Sequence, residues 1–411
     1  MSRFLLAWEL GMNLGHLARM KPIASRLRSR GHRVLIAVRE VPAAAAVLGA
    51  DAAALVQAPH VQGQDLAASM NGYADVLLTQ GWQDVQILWG LTQAWLQLIR
   101  LYRPDVALLN HAPTARLATR VAGIPAIMIG NGFEIPPTLD LLPPFPIASA
   151  SASEAAASEG IALNRANAVL ERLRGPAVAS LSELFNEASA LCVTLPELDP
   201  YGVRPTLSYG GPLLGAAAPQ RLDWPAGPNR VFACLRPDTP HWEPALGALR
   251  ASGASVICFA PGFTAKQLEP YARPCLTFSS RLVDLKHLAP DADLCLSYGG
   301  EGTIETFLVA GVPQVIIPSH IEAEVLATRL EDLGVAVVLR GLQSRDTIAE
   351  ALERAGKDSK YRQKARELAN RHRGYDPDAV ADDITDRIEA IVAGQSLAHA
   401  HYSLVSAKKR A

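Results

Sequence analysis

Three glycines crowd the end of an apolar run in the stretch SYGGEGTIETFLVAGVPQVIIPSHIE, from Ser297 to Glu322. Gly299, Gly300 and Gly302 have no Cβ, so the backbone there can come close to a ligand, and the first N–H groups of the helix that follows have no partner within it. A diphosphate set against them gains charge-assisted hydrogen bonds and the favourable end of the helix dipole, worth about 0.3–1 kcal/mol when exposed. Thr303, at the helix start, can cap the helix or hydrogen-bond a phosphate. A tight strand-to-helix turn without a ligand would use the same glycines. No HExxH and no clustered Cys/His set is present, so the sequence predicts no metal site.

Parallel strands followed at once by helices must hold such a turn. The chain opens with an apolar run, Arg3 to Trp8, a glycine-bearing turn, a helical stretch from Leu17 to Ser29 stopped by Gly31, and a second run from Arg33 to Val38. The alternation recurs at Asp105 to Leu109, Ala112 to Val121 and Pro125 to Ile129, and restarts at Arg230 to Leu235, Trp242 to Ala251 and Ser255 to Phe259. It continues through Leu294 to Tyr298, Gly302 to Val309 and Gln314 to Ile317, with a last amphipathic helix from Ala379 to Val392. This is the βαβ order of doubly wound α/β domains. The Pro-, Ala- and Ser-rich stretch from Leu141 to Gly160 reads as an excursion and Ala162 to Glu187 as one long helix. The boundaries expected are an N-terminal Rossmann-like domain over 1–212, a Gly/Ala/Pro-rich linker over 213–229, a C-terminal Rossmann-like domain over 230–395 and a basic tail over 396–411.

The glycine-rich stretch resembles the donor-binding signature of the UDP-glycosyltransferase superfamily. Gly299, Gly300, Gly302, Thr303, Leu308, Gly311, Val312, Pro313 and Pro318 fall on its pattern. The resemblance implies the GT-B fold, two Rossmann-like domains facing across a cleft, and a UDP- or dTDP-linked sugar as co-substrate with no further cofactor. The signature's phosphate-binding His is Tyr298 here, its ribose-binding Glu is Thr306 beside Glu305, and its sugar-binding Asp-Gln pair is Glu322 followed by Ala323.

A second stretch, GMNLGHLARMKPIASRLRSRGHRV from Gly11 to Val34, resembles the opening of bacterial GT-B transferases. That likeness puts His16 where the family keeps its general base, which takes the acceptor's proton as the hydroxyl attacks the anomeric carbon with inversion. Relatives orient this His with an Asp at a strand end. The matching strand PDVALLN ends in Asn110, and Glu9 is the alternative carboxylate. The paired glutamates that retaining enzymes carry near the phosphate turn are not matched.

Between Val85 and Tyr102, Ile87, Leu88, Leu91, Trp95, Leu98 and Ile99 recur near helical spacing, as a core face or as an apolar wall for an aromatic, polyketide or lipid acceptor. Trp89, and Phe133 beside the Pro136-Pro137 turn, are the acceptor-wall candidates. At 411 residues, 49% apolar and 19% charged, the chain has material for two cores. Lys plus Arg is 39 against 40 Asp plus Glu, which offers no broad field for nucleic acid. The first apolar run is broken by Glu9, too early for a signal-peptide core, and no run reaches the roughly 18 apolar residues of a membrane span. Peripheral membrane contact stays open. Five cysteines without CxxC spacing read as reduced thiols of a cytoplasmic protein. Two further readings follow: a GT-B epimerase, opposed by the His16 opening, and a GT-B protein that has lost turnover and serves as a sensor or as a partner of another transferase.

Overall fold

Strands covered on both faces need no polar alternation, which is why so many of this chain's strands are unbroken apolar runs such as FLLAW and VALL. The computed structural model describes residues 1–11, 15–49, 54–62, 70–147, 152–185, 190–214 and 220–394. The chain divides into two units: Met1–Leu213 joined by the segment that starts at Asp376, and Leu214–Tyr375.

The first unit runs β1 (Arg3–Trp8), α1 (Gly15–Ser29), β2 (Arg33–Val38), α2 (Val41–Leu48), β3 (Leu55–Gln57), α3 (Tyr73–Leu77) and α4 (Val85–Tyr102). It continues with β4 (Val106–Asn110), α5 (Pro113–Ala122), β5 (Ala126–Gly130), α6 (Ala152–Arg172), β6 (Ala190–Cys192) and β7 (Ser208–Tyr209). Its strands stand in the order β3-β2-β1-β4-β5-β6-β7, all paired parallel. The winding reverses between β1 and β4, where Trp8 lies opposite Asn110 at the carboxyl ends. Ligands of doubly wound sheets gather beyond that point.

The second unit contains β8 (Arg230–Cys234), α7 (Trp242–Ala251), β9 (Ser255–Phe259), α8 (Ala265–Leu268), β10 (Leu276–Ser279), α9 (Leu285–Leu288) and β11 (Leu294–Ser297). After these come α10 (Glu301–Val309), β12 (Gln314–Ile316), α11 (Ile321–Asp332), β13 (Ala336–Val338), α12 (Arg345–Lys357) and α13 (Ser359–Arg371). The order is β10-β9-β8-β11-β12-β13, again parallel throughout, with its reversal between β8 and β11. The glycine turn therefore leaves the sheet at the place where this topology puts a ligand.

Two expectations need correction. The C-terminal unit closes at Tyr375 rather than at residue 395, because α14 (Pro377–Val392) belongs to the first unit. Its acidic face meets α1 and the turn after it: Arg26 pairs with Asp378 and Asp382, Arg30 with Asp386 and Glu389, and His32 with Glu389. Val380, Ala381, Ile384 and Ile388 are buried beneath. From Gln220 onward the expected linker is also part of the second unit, bridged to Val283. Residues 215–219 and the tail 396–411 lie outside the described residues.

The second correction concerns the middle of the chain. The helix expected over Ala162 to Glu187 is α6, which begins at Ala152, within the stretch read as an excursion, and stops at Arg172. Alanine is the strongest helix former, so an Ala-rich stretch favours a helix more than a loop. Arg174, at φ 57, and Gly175-Pro176 end it. The cysteines form no disulfide: all five are free thiols. No helix among the described residues is long and apolar enough to cross a membrane.

Candidate active site

His16 lies in the first turn of α1, directly beyond the end of β1, and is only 5% exposed. The Trp8 ring stacks on it with centroids 5.2 Å apart. Its Nδ1 faces the Oδ1 of Asn110 at 2.8 Å. The amide has one orientation open to it, because Asn110 Nδ2 donates to the Ile129 carbonyl at 2.7 Å and to Glu134 at 2.9 Å. Oδ1 can only accept, so the network assigns the proton to His16 Nδ1 and leaves the lone pair on Nε2. That is the tautomer of a base working through Nε2. A Cβ on Gly11 would fall 2.4 Å from Nε2, and Gly11 sits at φ 80, so a glycine is required beside the ring.

Glu134, which no motif in the sequence singles out, is fully buried in the turn after β5. Its Oε1 accepts from Arg19 at 2.7 Å and stands 3.4 Å from His16 Nδ1. The signal was the run Gly130-Asn131-Gly132 just before it, a tight turn at a strand end. His16, His111 and Glu134 offer ligand atoms within 4.8 Å of one another. Arg19 already meets the carboxylate and Asn110 already engages Nδ1, so a divalent cation would have to displace a guanidinium.

Glu9, the other carboxylate expected to support His16, serves a different element. It accepts from the N–H groups of Thr114 and Ala115 at 3.0 and 3.1 Å, at the start of α5. Burial pushes its carboxyl up from 4.5 to about 7, against the pull of those hydrogen bonds. The folded protein therefore holds a proton on Glu9 that the unfolded chain has lost between these values, and stability falls as pH rises through that window. The fall is on the order of 3 kcal/mol at most. Glu9→Gln is expected to flatten the dependence of the thermal midpoint on pH between 5 and 8 and to raise the midpoint at pH 8. An unchanged slope would show that Glu9 is ionised in the fold.

The acceptor-wall candidates part company. Phe133, 4% exposed, stacks on Phe145 with centroids 5.0 Å apart, meets Tyr73 edge-on, and lies 6.0 Å from the His111 ring, itself 6.0 Å from His16. An aromatic cluster thus adjoins His16. Trp89 is elsewhere, on the face of α4 that meets α6, with the Arg172 guanidinium 3.8 Å above its ring. The periodic face of α4, with Leu88, Leu91, Trp95 and Ile99, is buried as core.

In the second unit Tyr298 and Gly299 follow β11, and Gly300 is the N-cap of α10, with no side chain to cap the first N–H groups. Gly299 stands at φ 96, and a Cβ there would lie 2.6 Å from the Cβ of Ala323. The small residue in place of the signature's Gln is thus packed against the turn. Tyr298 and Thr303 both reach the Cys234 thiol at the end of β8, which burial pushes up to about 12. Burial likewise raises the Tyr298 hydroxyl, which therefore remains a neutral donor. Thr306 turns inward, donating to the Gly302 carbonyl at 2.6 Å, and Glu305 is buried. Glu322 is in the first turn of α11, partly exposed. A cation that no motif marks stands beside this turn: Arg236, just past β8, bonds to Tyr298 and pairs with Asp238 at 3.1 Å.

Residues 278–387 match the family model of the erythromycin biosynthesis protein CIII-like C-terminal domain. Among curated proteins, the chain is 33% identical over 92 residues to a sterol 3-beta-glucosyltransferase of Candida albicans, covering 22% of this chain and 6% of that protein. It is 32% identical over 97 residues to the glycosyltransferase GtfC of Amycolatopsis orientalis, covering 24% and 23%. Among solved structures, a kitacinnamycin glycosyltransferase superposes with a TM-score of 0.69 at 19% identity, over 95% of this chain and 99% of that one. The glycosyltransferase VinC in complex with dTDP gives 0.61 at 18%, over 95% and 99%. This chain has the fold of these GT-B glycosyltransferases, and its residues 278–387 match the C-terminal-domain model of the erythromycin biosynthesis protein CIII-like family.

Proposed function

We propose that the chain is an inverting, metal-independent glycosyltransferase of the hexosyltransferase type that moves a sugar from a dTDP- or UDP-linked donor to a hydroxyl of a small hydrophobic acceptor. The observation that carries this reading is the contact of His16 Nδ1 with Asn110 Oδ1, whose amide nitrogen is taken up by Ile129 and Glu134, which leaves Nε2 to take a proton. The acceptor O–H proton passes to Nε2 as the oxygen attacks the anomeric carbon, and the bond from that carbon to the diphosphate breaks on the opposite side. The leaving diphosphate takes the electron pair, and the uncapped N–H groups of α10, with Tyr298, Thr303 and Arg236, offset its charge in place of a metal. Glu322 is the candidate for the sugar hydroxyls. The reaction requires donor and base to meet.

The acceptor side draws on the cluster of Phe133, Phe145 and Tyr73 next to His111. A flat, apolar natural-product or sterol-like molecule suits such a wall, and a sterol is what the Candida relative's name specifies. The dTDP complex of VinC favours dTDP as the nucleotide to try first. Five free thiols fit work in the reducing cytoplasm.

The test is a thermal-shift screen with UDP, dTDP, GDP and their sugars, followed by assay of free nucleotide released with aromatic, polyketide and sterol acceptors, with and without EDTA. We expect a shift with dTDP or UDP, acceptor-dependent nucleotide release, and no loss of rate in EDTA. Saturable nucleotide binding with no release in any combination would favour a cleft without turnover.

A further inference from the structure

We infer that Glu134 is the positioning carboxylate of this site, holding His16 through Asn110 and supplying the negative charge that Asn110 lacks. The inference rests on the reading of His16 as the base. An amide can orient an imidazole but cannot offset the charge that the ring gains on taking a proton. The strand end beside His16 carries only the amide. The neighbouring strand, β5, delivers the carboxylate.

The surroundings of Glu134 are built for it. A Cβ on Gly130 would lie 1.9 Å from Glu134 Oε2, so the carboxylate occupies the space a side chain would fill at the end of β5. Asn131 ties the turn from both sides: its Oδ1 accepts the Glu134 N–H at 3.0 Å, and its own N–H donates to Oε2 at 3.2 Å. A Cβ on Gly132 would fall 2.6 Å from the Asp199 carboxylate, which Arg204 and the Tyr209 hydroxyl hold in place. Arg19, three residues after His16 on α1, grips Oε1 at 2.7 Å. Glu134 thus accepts at both oxygens from donors on α1, β4 and its own turn, the pattern of an ionised carboxylate. Among the described residues, the charged and ionisable groups that meet His16 are Glu134, 3.4 Å from Nδ1, the Arg19 guanidinium beyond it, and the His111 ring. Glu9 turns its carboxyl to α5.

The test is a titration of the His16 imidazole by 15N NMR on the full chain, its signal identified by its loss in His16→Gln. In Glu134→Gln the titration midpoint should fall by about one pH unit, a tenfold loss of proton affinity. The acidic limb of kcat/KM should move to lower pH by a similar amount and kcat should drop about tenfold with donor KM unchanged. The double variant Asn110→Asp with Glu134→Gln, which moves the charge to the strand end, should restore the midpoint and part of kcat. A folded Glu134→Gln protein with an unchanged midpoint, or a double variant that restores neither, overturns the inference. Should Glu134→Gln fail to fold, Arg19→Gln carries the test: it removes the opposing cation and should raise the midpoint, and no rise overturns the inference equally. The midpoint needs no turnover, so the two readings separate. A lowered midpoint in a protein whose His16→Ala variant keeps its full rate would sink the base and leave Glu134's hold on the ring intact.

Discussion

Replacing His16 by alanine is expected to lower transfer about 10² to 10⁴-fold while leaving donor affinity within a factor of two or so, because a positioned base contributes in that range only once the acceptor oxygen begins to lose its proton. The ring lies under Trp8 and against Asn110 in the first unit, while the glycine turn proposed for the donor belongs to the second. The substitution leaves Asn110 Oδ1 without the Nδ1–H donor, a cost of about 1 kcal/mol that a thermal midpoint would register as a small drop. The measurement is kcat at saturating donor and acceptor, set beside donor affinity from calorimetry. A variant that binds donor normally and transfers at the parent rate removes His16 from the chemistry. One that loses both transfer and donor binding means the damage has spread beyond the ring.

Much of this site is legible in the sequence because its parts follow strands directly. The turn after β11 declares itself through three glycines, and His16 through a motif that ends β1 and starts α1. Asn110 is readable as the last residue of an apolar run. Glu134 is not, because what brings it to Asn110 is the adjacency of β4 and β5 in the sheet, and strand order is not written in local spacing. The surroundings of Trp89 are hidden for a related reason: periodicity says that a helix has an apolar face, but not that the neighbour is α6 with Arg172 over the ring. The exchange of α14 into the first unit depends on acidic residues recurring at Asp378, Asp382, Asp386 and Glu389, a pattern that equally describes a solvated helix until Arg26 and Arg30 are placed opposite. Where the family signature is broken at Ala323, the fold supplies a physical reason, since that methyl group is what the backbone of Gly299 packs against.

The same contact makes Gly299→Ala the most damaging single methyl group that can be added to the glycine turn of the second unit. At φ 96 the backbone is in a region that residues with a Cβ rarely adopt, at a cost of about 1–3 kcal/mol, and the new methyl would stand 2.6 Å from the Cβ of Ala323, far inside van der Waals contact. The turn must shift to relieve it, and the shift carries the first N–H groups of α10 away from the position in which they would meet a diphosphate. We expect donor affinity to fall about 100-fold, roughly 2.7 kcal/mol, as measured by calorimetry with the nucleotide that gives the largest thermal shift. Gly302→Ala is the informative contrast. That glycine lies within α10, a Cβ there meets nothing within 4 Å, and alanine favours the helix by about 1 kcal/mol over glycine. A protein with Gly302→Ala that is more stable yet binds donor poorly would show that ligand occupies the space beside Gly302. Unchanged affinity in Gly299→Ala, with the strain registered only in the thermal midpoint, would mean that the glycines serve the turn alone and that the nucleotide lies elsewhere on the second unit.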